Sequence, residues 1–160
     1  MERFERIYEQ HHDAVRAYVR RRAPEAVVDD LVADTFVVCL RRIDDVPESP
    51  LAWLYAVARK TLANDRRRRG RNLALSPETA YAPDPPGDPV LAAAFAELSD
   101  GDREVLRLVA WEELALRDAA VVLGCSAVAC RVRFFRAKAR LRALLEEQPG
   151  FRTEPKGAFR

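Results

Sequence analysis

Three groups of residues in this chain are of a type and spacing that could do chemistry. The first is "CRVRFFRAKARLRALL", residues 130–145, which carries six basic side chains and no acidic one. The net charge of the whole chain is only +2, so an anionic partner must be met by local patches of this kind rather than by the whole surface. Basic residues interleaved with Phe134 and Phe135 suit nucleic acid, with phosphates taking the flanking arginines and base edges taking the rest. The second group is "DDLVAD", where Asp29, Asp30 and Asp34 share one helical stretch. Such carboxylates either hold magnesium against a diphosphate or form an acidic face for docking a protein. The third comprises Cys39, Cys125 and Cys130 with His11 and His12. No CxxC pair is present and the histidines are remote in sequence, so the thiols read as small buried hydrophobes, reduced and free of zinc. A helix start between Cys125 and Cys130 is expected to keep those two apart. No nucleophile–base pair, glycine-rich phosphate loop or metal-ligand spacing stands anywhere in the chain, so neither an enzyme nor a cofactor is expected.

The elements that position these groups read as helices. At 160 residues, with 49% hydrophobic and 32% charged, the chain can form one ordinary domain or two small ones. Phe4, Ile7, Tyr8, Val15 and Val19 recur at helical spacing. Val27, Leu31, Val32, Thr35, Phe36 and Leu40 make the stripe of a second helix, expected from about Val27 to Ile43. After "DDVPESP", Ser49 is expected to cap a long helix with Pro50 at its first position. Its inner face is Leu51, Leu54, Val57, Ala58 and Leu62, with Trp53 packed at its start. Lys60, Arg66, Arg67, Arg68, Arg69 and Arg71, near Asn64, form a second basic cluster on and beyond its end. "SPETAYAPDPPGDP" has five prolines and no helical period, and reads as a flexible linker that leaves the flanking domains without a fixed mutual orientation. A short helix from Leu91 to Leu98 follows, then one capped by Ser99 with Asp102 three residues on. No segment alternates as a strand should.

The last stretch, "LALRDAAVVLGCSAVACRVRFFRAKARLRALL", carries the most specific spacing. A helix closes at Leu123, Gly124 supplies a left-handed turn, and Ser126 caps the next helix: a helix-turn-helix whose second helix enters the major groove. Cys130, Phe134, Ala137, Leu141 and Leu144 fall on its inward face. Arg131, Val132, Phe135, Arg136 and Lys138 fall on the opposite face, so Phe134 is core and Phe135 faces the partner.

"DDLVADTFVVCLRR", "SPLAWLYAVARKTLANDRRRR" and "LRDAAVVLGCSAVACRVRFFRAKARLRALL" together resemble an extracytoplasmic-function sigma factor of the sigma-70 family, a specificity subunit of bacterial RNA polymerase. The resemblance spans roughly residues 4–69 and 91–145. It implies a non-enzymatic initiation factor whose partners are core polymerase, promoter DNA and an anti-sigma protein. Asp30, Ala33, Asp34 and Val37 would be the exposed polymerase contacts, over packing residues Leu31, Val32 and Phe36. A loop pocket at Pro47, Glu48 and Ser49 would hold a flipped base of the downstream (minus ten) element, with Arg59, Lys60, Asn64, Arg66 and Arg67 along the strand. Val128, Ala129, Arg131, Val132, Phe135, Arg136 and Lys138 would meet the upstream (minus thirty-five) element. Family members often place small or polar residues where Val128, Ala129 and Val132 stand. Ala115 replaces the usual Ser or Thr cap, which weakens that helix start by ~1 kcal/mol. Val121, where a glutamate is common, leaves an apolar spot that a partner could cover.

Two other readings fit the same residues less well. A regulator acting without polymerase needs a ligand or phosphoacceptor domain at the N-terminus, and residues 1–70 show no βα alternation. A prenyl-diphosphate enzyme needs a second acidic cluster facing the first, and Asp44 and Asp45 stand too close in sequence. The opening "MERFERIYEQ" has no apolar run and the longest weakly polar run, "AAVVLGCSAVAC", is too short to cross a bilayer, which predicts a cytoplasmic protein. The expectation is therefore an all-α chain of two small domains, 1–70 and 91–147, with linker 71–90 and tail 148–160.

Overall fold

The computed structural model describes the backbone of residues 1–72 and 87–148. The core of the expected linker, the tail beyond Gln148 and the side chain of Arg71 lie outside the described residues. Helices α1 (Glu2–Arg20), α2 (Glu25–Arg41) and α3 (Leu51–Asn72) form an N-terminal bundle, with a single 3-10 turn at Ile43–Asp45. Helices α4 (Pro89–Ala96), α5 (Asp100–Ala110), α6 (Leu116–Leu123) and α7 (Ala127–Glu147) form a C-terminal one. Among the described residues there is no strand, and no helix is long and apolar enough to cross a membrane.

Local chemistry sets most boundaries. Ser99 and Ser126 hold extended backbone and accept from the N–H groups of Asp102 and Ala129 at 3.2 and 3.1 Å, as the sequence predicts. The reciprocal half of a capping box is missing at α5, because the Asp102 carboxylate takes Arg140 of α7 at 2.7 Å instead. The backbone of Ala115 is equally extended but offers no side-chain acceptor. Gly124 stands at φ 67, ψ 34 and closes α6 in the left-handed conformation that glycine adopts without penalty. Three starts differ from expectation, and the first is α2, which runs Glu25–Arg41 rather than from about Val27 to Ile43. Asp88 caps α4 through the Val90 N–H, so that helix begins two residues earlier, at Pro89. The first bond of α3 runs from the Leu54 N–H to the Pro50 carbonyl at 2.8 Å, which makes Pro50 the half-in residue and leaves Ser49 outside.

Packing corrects the stripes of α1 and α2. Ile7, Val15, Tyr18 and Val19 are buried in α1, while Tyr8 is exposed and lies over Phe36 with ring centroids 4.8 Å apart. In α2 the buried set is Val28, Leu31, Val32, Thr35, Phe36 and Cys39, and Leu40 is 45% exposed. The α2 stripe is wider than one face because α1 and α3 cover it from two sides. Thr35 turns its hydroxyl to the Leu31 carbonyl at 2.8 Å, which satisfies it inside the core. Cys125 stands before the cap and Cys130 is the fourth helical residue, positions that often pack together at a helix start. Burial, reinforced by Cys125, pushes the Cys130 thiol above its ordinary pKa.

The largest difference is between the bundles. A flexible linker implies no fixed arrangement, yet α3 packs on α6, and one apolar core runs through both bundles. At its edge lies a polar cluster that joins α1 to α5. The Arg22 guanidinium donates from Nε to Glu104 at 3.0 Å, and from Nη1 and Nη2 to the two oxygens of Glu112 at 2.9 and 3.1 Å. Nη1 also reaches the Tyr18 carbonyl at 3.0 Å, and the Tyr18 hydroxyl donates to Glu104 at 3.1 Å. Arg21 adds a bond to Glu112 at 3.0 Å. Arg22 sits 3.8 Å above the Tyr18 ring, which stacks on Tyr55 at 4.8 Å. Burial works against the Arg22 charge, and Glu104, Tyr18 and Glu112 outweigh it, so the guanidinium is held above its usual pKa.

Candidate nucleic-acid interface

Helix α7 displays its two faces as its sequence requires. Cys130 and Ala137 are fully buried, and Phe134, Leu141 and Leu144 are half-buried against the core. Arg131, Arg136 and Lys138 are exposed, and so are Val128, Val132 and Phe135 at 73%, 43% and 56%; Ala129 is half-buried beneath them. The two phenylalanines separate as expected, yet they touch: their rings meet edge-on at 5.5 Å, so Phe134 in the core fixes the angle at which Phe135 stands out. Val121 of α6, 52% exposed, extends the apolar part of this surface. Arg140 is not a free cation of the face, since it pairs with Asp102.

The candidates on α3 divide into two sets. Lys60, Asn64 and Arg67 recur at spacings of four and three and share one exposed side. Arg59 and Arg66 lie about 100° round the helix, and Arg66 donates to the Arg22 carbonyl at 3.0 Å, bracing the corner after α1. Asp65 holds Arg68 and Arg69 at 3.3 and 2.9 Å, which keeps that part of the basic run in register with the helix. Pro47, Glu48 and Ser49 are exposed in the loop before α3. The loop is anchored from behind by buried Val46 and by Arg3, which donates to the carbonyls of Ile43 and Val46. Trp53 is half-buried beside it, with the Arg42 guanidinium 5.8 Å from its ring centre.

Asp30, Ala33, Asp34 and Val37 are all exposed on α2, over buried Leu31, Val32 and Phe36. Leu40, misplaced in the sequence reading, joins Val37 as an apolar part of that outer side. A groove between α2 and α3 is lined by Asp34, Val38, Thr61, Asn64, Asp65, Arg67 and Arg68. It brings an acidic α2 candidate beside the polar side of α3, a juxtaposition that neither segment shows alone. Asp29 instead pairs with Arg16 at 3.4 Å, and among the described residues no group of three or more His, Cys, Asp or Glu side chains could hold a metal ion. Sequence reasoning missed Tyr18, Arg22, Glu104 and Glu112 altogether. The available signal was Arg22 itself, which continues the buried spacing of Val15, Tyr18 and Val19.

Comparison with known proteins places both bundles. The family model described as "Sigma-70 region 2" matches residues 7–72, and that described as "Sigma-70, region 4" matches residues 90–141. The chain is 35% identical to the RNA polymerase sigma factor CnrH of Cupriavidus metallidurans, over 77% of this chain and 75% of that one. It is 34% identical to the ECF RNA polymerase sigma factor EcfG of Rhodopseudomonas palustris, over 73% and 70%. Its fold resembles CnrH in complex with the cytosolic domain of CnrY (TM-score 0.64, 32% identity, 91% of this chain and 89% of that one). It also resembles the sigma factor RpoE in complex with the anti-sigma factor NepR from Bartonella quintana (TM-score 0.69, 24% identity, 93% and 100%). The chain belongs to the extracytoplasmic-function group of the sigma-70 family, transcription initiation factors rather than enzymes.

Proposed function

We propose that this chain acts in the cytoplasm as the promoter-specificity subunit of RNA polymerase, with residues 1–70 and 91–147 as its two working domains. Asp30, Ala33, Asp34 and Val37 dock the polymerase. Pro47, Glu48 and Ser49 receive a flipped base of the downstream element, while Lys60, Asn64 and Arg67 follow the separated strand and Arg59 and Arg66 flank it. Val128, Ala129, Arg131, Val132, Phe135, Arg136 and Lys138 meet the upstream element. The observation that carries this reading is the outer face of α7. Three cations and three large apolar side chains stand exposed there, immediately after a capped, glycine-turned helix start. Arg131 supplies a bidentate donor to a guanine edge, and Val128 and Val132 can touch only thymine methyls, so the upstream element is read as a mixture of both.

The exposed apolar groups at Val121, Val128 and Phe135 also support an anti-sigma partner, in line with the complexes formed by the similar structures. Binding of core polymerase tests the docking assignment. Asp30→Arg with Asp34→Arg changes two exposed side chains, so helicity is retained while binding is lost. Retained binding would remove α2 from the interface.

A further inference from the structure

We propose that Arg3 is the positioning residue of the Pro47, Glu48 and Ser49 loop: its guanidinium fixes the direction in which that loop meets a flipped base, and so sets base selectivity at the downstream element. Arg3 stands in the first turn of α1, where the helix macrodipole disfavours a cation. It is half-buried and reaches 40 and 43 positions along the chain. Nη1 donates to the Ile43 carbonyl at 2.7 Å, and Nη2 donates to the Val46 carbonyl. These two carbonyls bracket the 3-10 turn Ile43–Asp45. The Ile43 carbonyl otherwise takes only a long bond, from the Val46 N–H at 3.4 Å. The Val46 carbonyl has no backbone partner among the described residues. Arg3 therefore supplies what holds this corner to α1.

The loop has little freedom of its own. Pro47 and Pro50 have fixed φ, and a residue before proline is confined to extended backbone, which restricts Val46 and Ser49. Val46 is extended as this requires, at φ −69 and ψ 125. Only Glu48 keeps both torsions clear of these constraints. Val46 and Pro50 are buried at the two ends, and among the described residues no hydrogen bond engages Pro47, Glu48 or Ser49 between them. The direction of these exposed residues is thus inherited from the Val46–Pro47 peptide, whose oxygen Arg3 holds. Two attachments on either side of a turn fix its rotation as well as its position. A planar guanidinium with paired donors supplies both, and a single ammonium does not. A pocket for a flipped base needs such a preformed wall, because a loose loop loses affinity for the right base in being ordered and gives wrong bases room to fit.

This inference rests on the base-receiving role proposed above for the loop, and the experiment separates the two. Wild type, Arg3→Ala and Arg3→Lys are compared as full chains in two measurements. Hydrogen exchange at the Asp45 and Val46 N–H groups, which bond to the Arg42 and Ile43 carbonyls, reports the turn without DNA. Run-off transcription with purified core polymerase, on templates carrying each base in turn along the downstream element, reports selectivity as a ratio between templates. Partial loss of folded chain cancels from that ratio. Both variants exchange faster at the turn and lose selectivity several-fold at one downstream position, while substitutions in the upstream element act as in wild type. Unchanged exchange in both variants would show that Arg3 does not hold the turn. Faster exchange with output lowered on every template alike would reduce Arg3 to a structural residue and overturn the proposal. Full selectivity in Arg3→Lys would also overturn it, since charge rather than the paired donors would then suffice. A wild type without selectivity anywhere in the downstream element would refute the loop's reading role, and Arg3's with it, even where exchange shows the anchor intact.

Discussion

Arg131 and Lys138 provide the sharpest test of how α7 meets DNA. They stand seven residues apart, so they project from nearly the same side of the helix, about 10.5 Å apart along its axis, with exposed Phe135 between them. If the helix enters the major groove by its N-terminal end, Arg131 reaches base edges and Lys138, two turns on, reaches only phosphate. Arg131→Ala then costs about 1–3 kcal/mol on the matched element, roughly 5- to 150-fold in affinity, and little on a scrambled one. Lys138→Ala weakens both duplexes alike and lowers the salt slope by about 0.9. Arg140 is a poorer control, because its loss also frees Asp102. The assay is fluorescence anisotropy of the full chain on matched and scrambled duplexes between 50 and 200 mM salt, roughly the range over which phosphate contacts dominate. Equal losses for both variants on both duplexes would refute base reading by Arg131.

Three further outcomes follow from the packing and the titrating groups. Ala115→Ser should raise stability by about 1 kcal/mol and the melting temperature by about 2–4 °C, because the position already holds the extended backbone from which Ser99 and Ser126 cap their helices. An unchanged melting curve would show that the α6 start has another acceptor. Leu108→Ala, at a fully buried site, should cost about 2–5 kcal/mol, whereas Phe134→Ala should cost less than the full core penalty of about 3–5 kcal/mol because its ring is only half-buried; denaturant unfolding ranks them, and the reverse order would contradict the packing. Burial, reinforced by Glu112, pushes Tyr55 up to about 12, and burial with Glu104 holds Tyr18 far above its usual range. The folded state keeps protons that the unfolded chain loses near pH 10, so this stability is complete below about pH 10. It falls as pH rises towards about 12, by about 1.4 kcal/mol per unit for each tyrosine, and a melting temperature flat across that range would contradict it.

Local signals were legible in the sequence, and long-range ones were not. Ser99, Ser126 and Gly124 act within three residues of themselves, so type and position sufficed to place the helix-turn-helix. The α7 faces followed from spacing alone. The α2 stripe did not, because a helix covered from two sides buries Val28 and Cys39, while Leu40, expected inside, is exposed and Val27 is only half-buried. The join between the bundles was invisible for a different reason. "RRRAPE" looks like a solvated helix end, and nothing in it shows that Glu112, ninety residues on, will neutralise Arg22. The bare signal was a charge lying on the buried spacing of α1.

The central claim is that this chain confers promoter choice on RNA polymerase. Run-off transcription with purified core polymerase on genomic fragments, with and without the chain, tests it directly. The account predicts discrete promoter-dependent transcripts only when the chain is present, lost with Asp30→Arg plus Asp34→Arg and redistributed among promoters by Arg131→Ala. Identical transcripts with and without the chain, although it binds the same DNA, would contradict it.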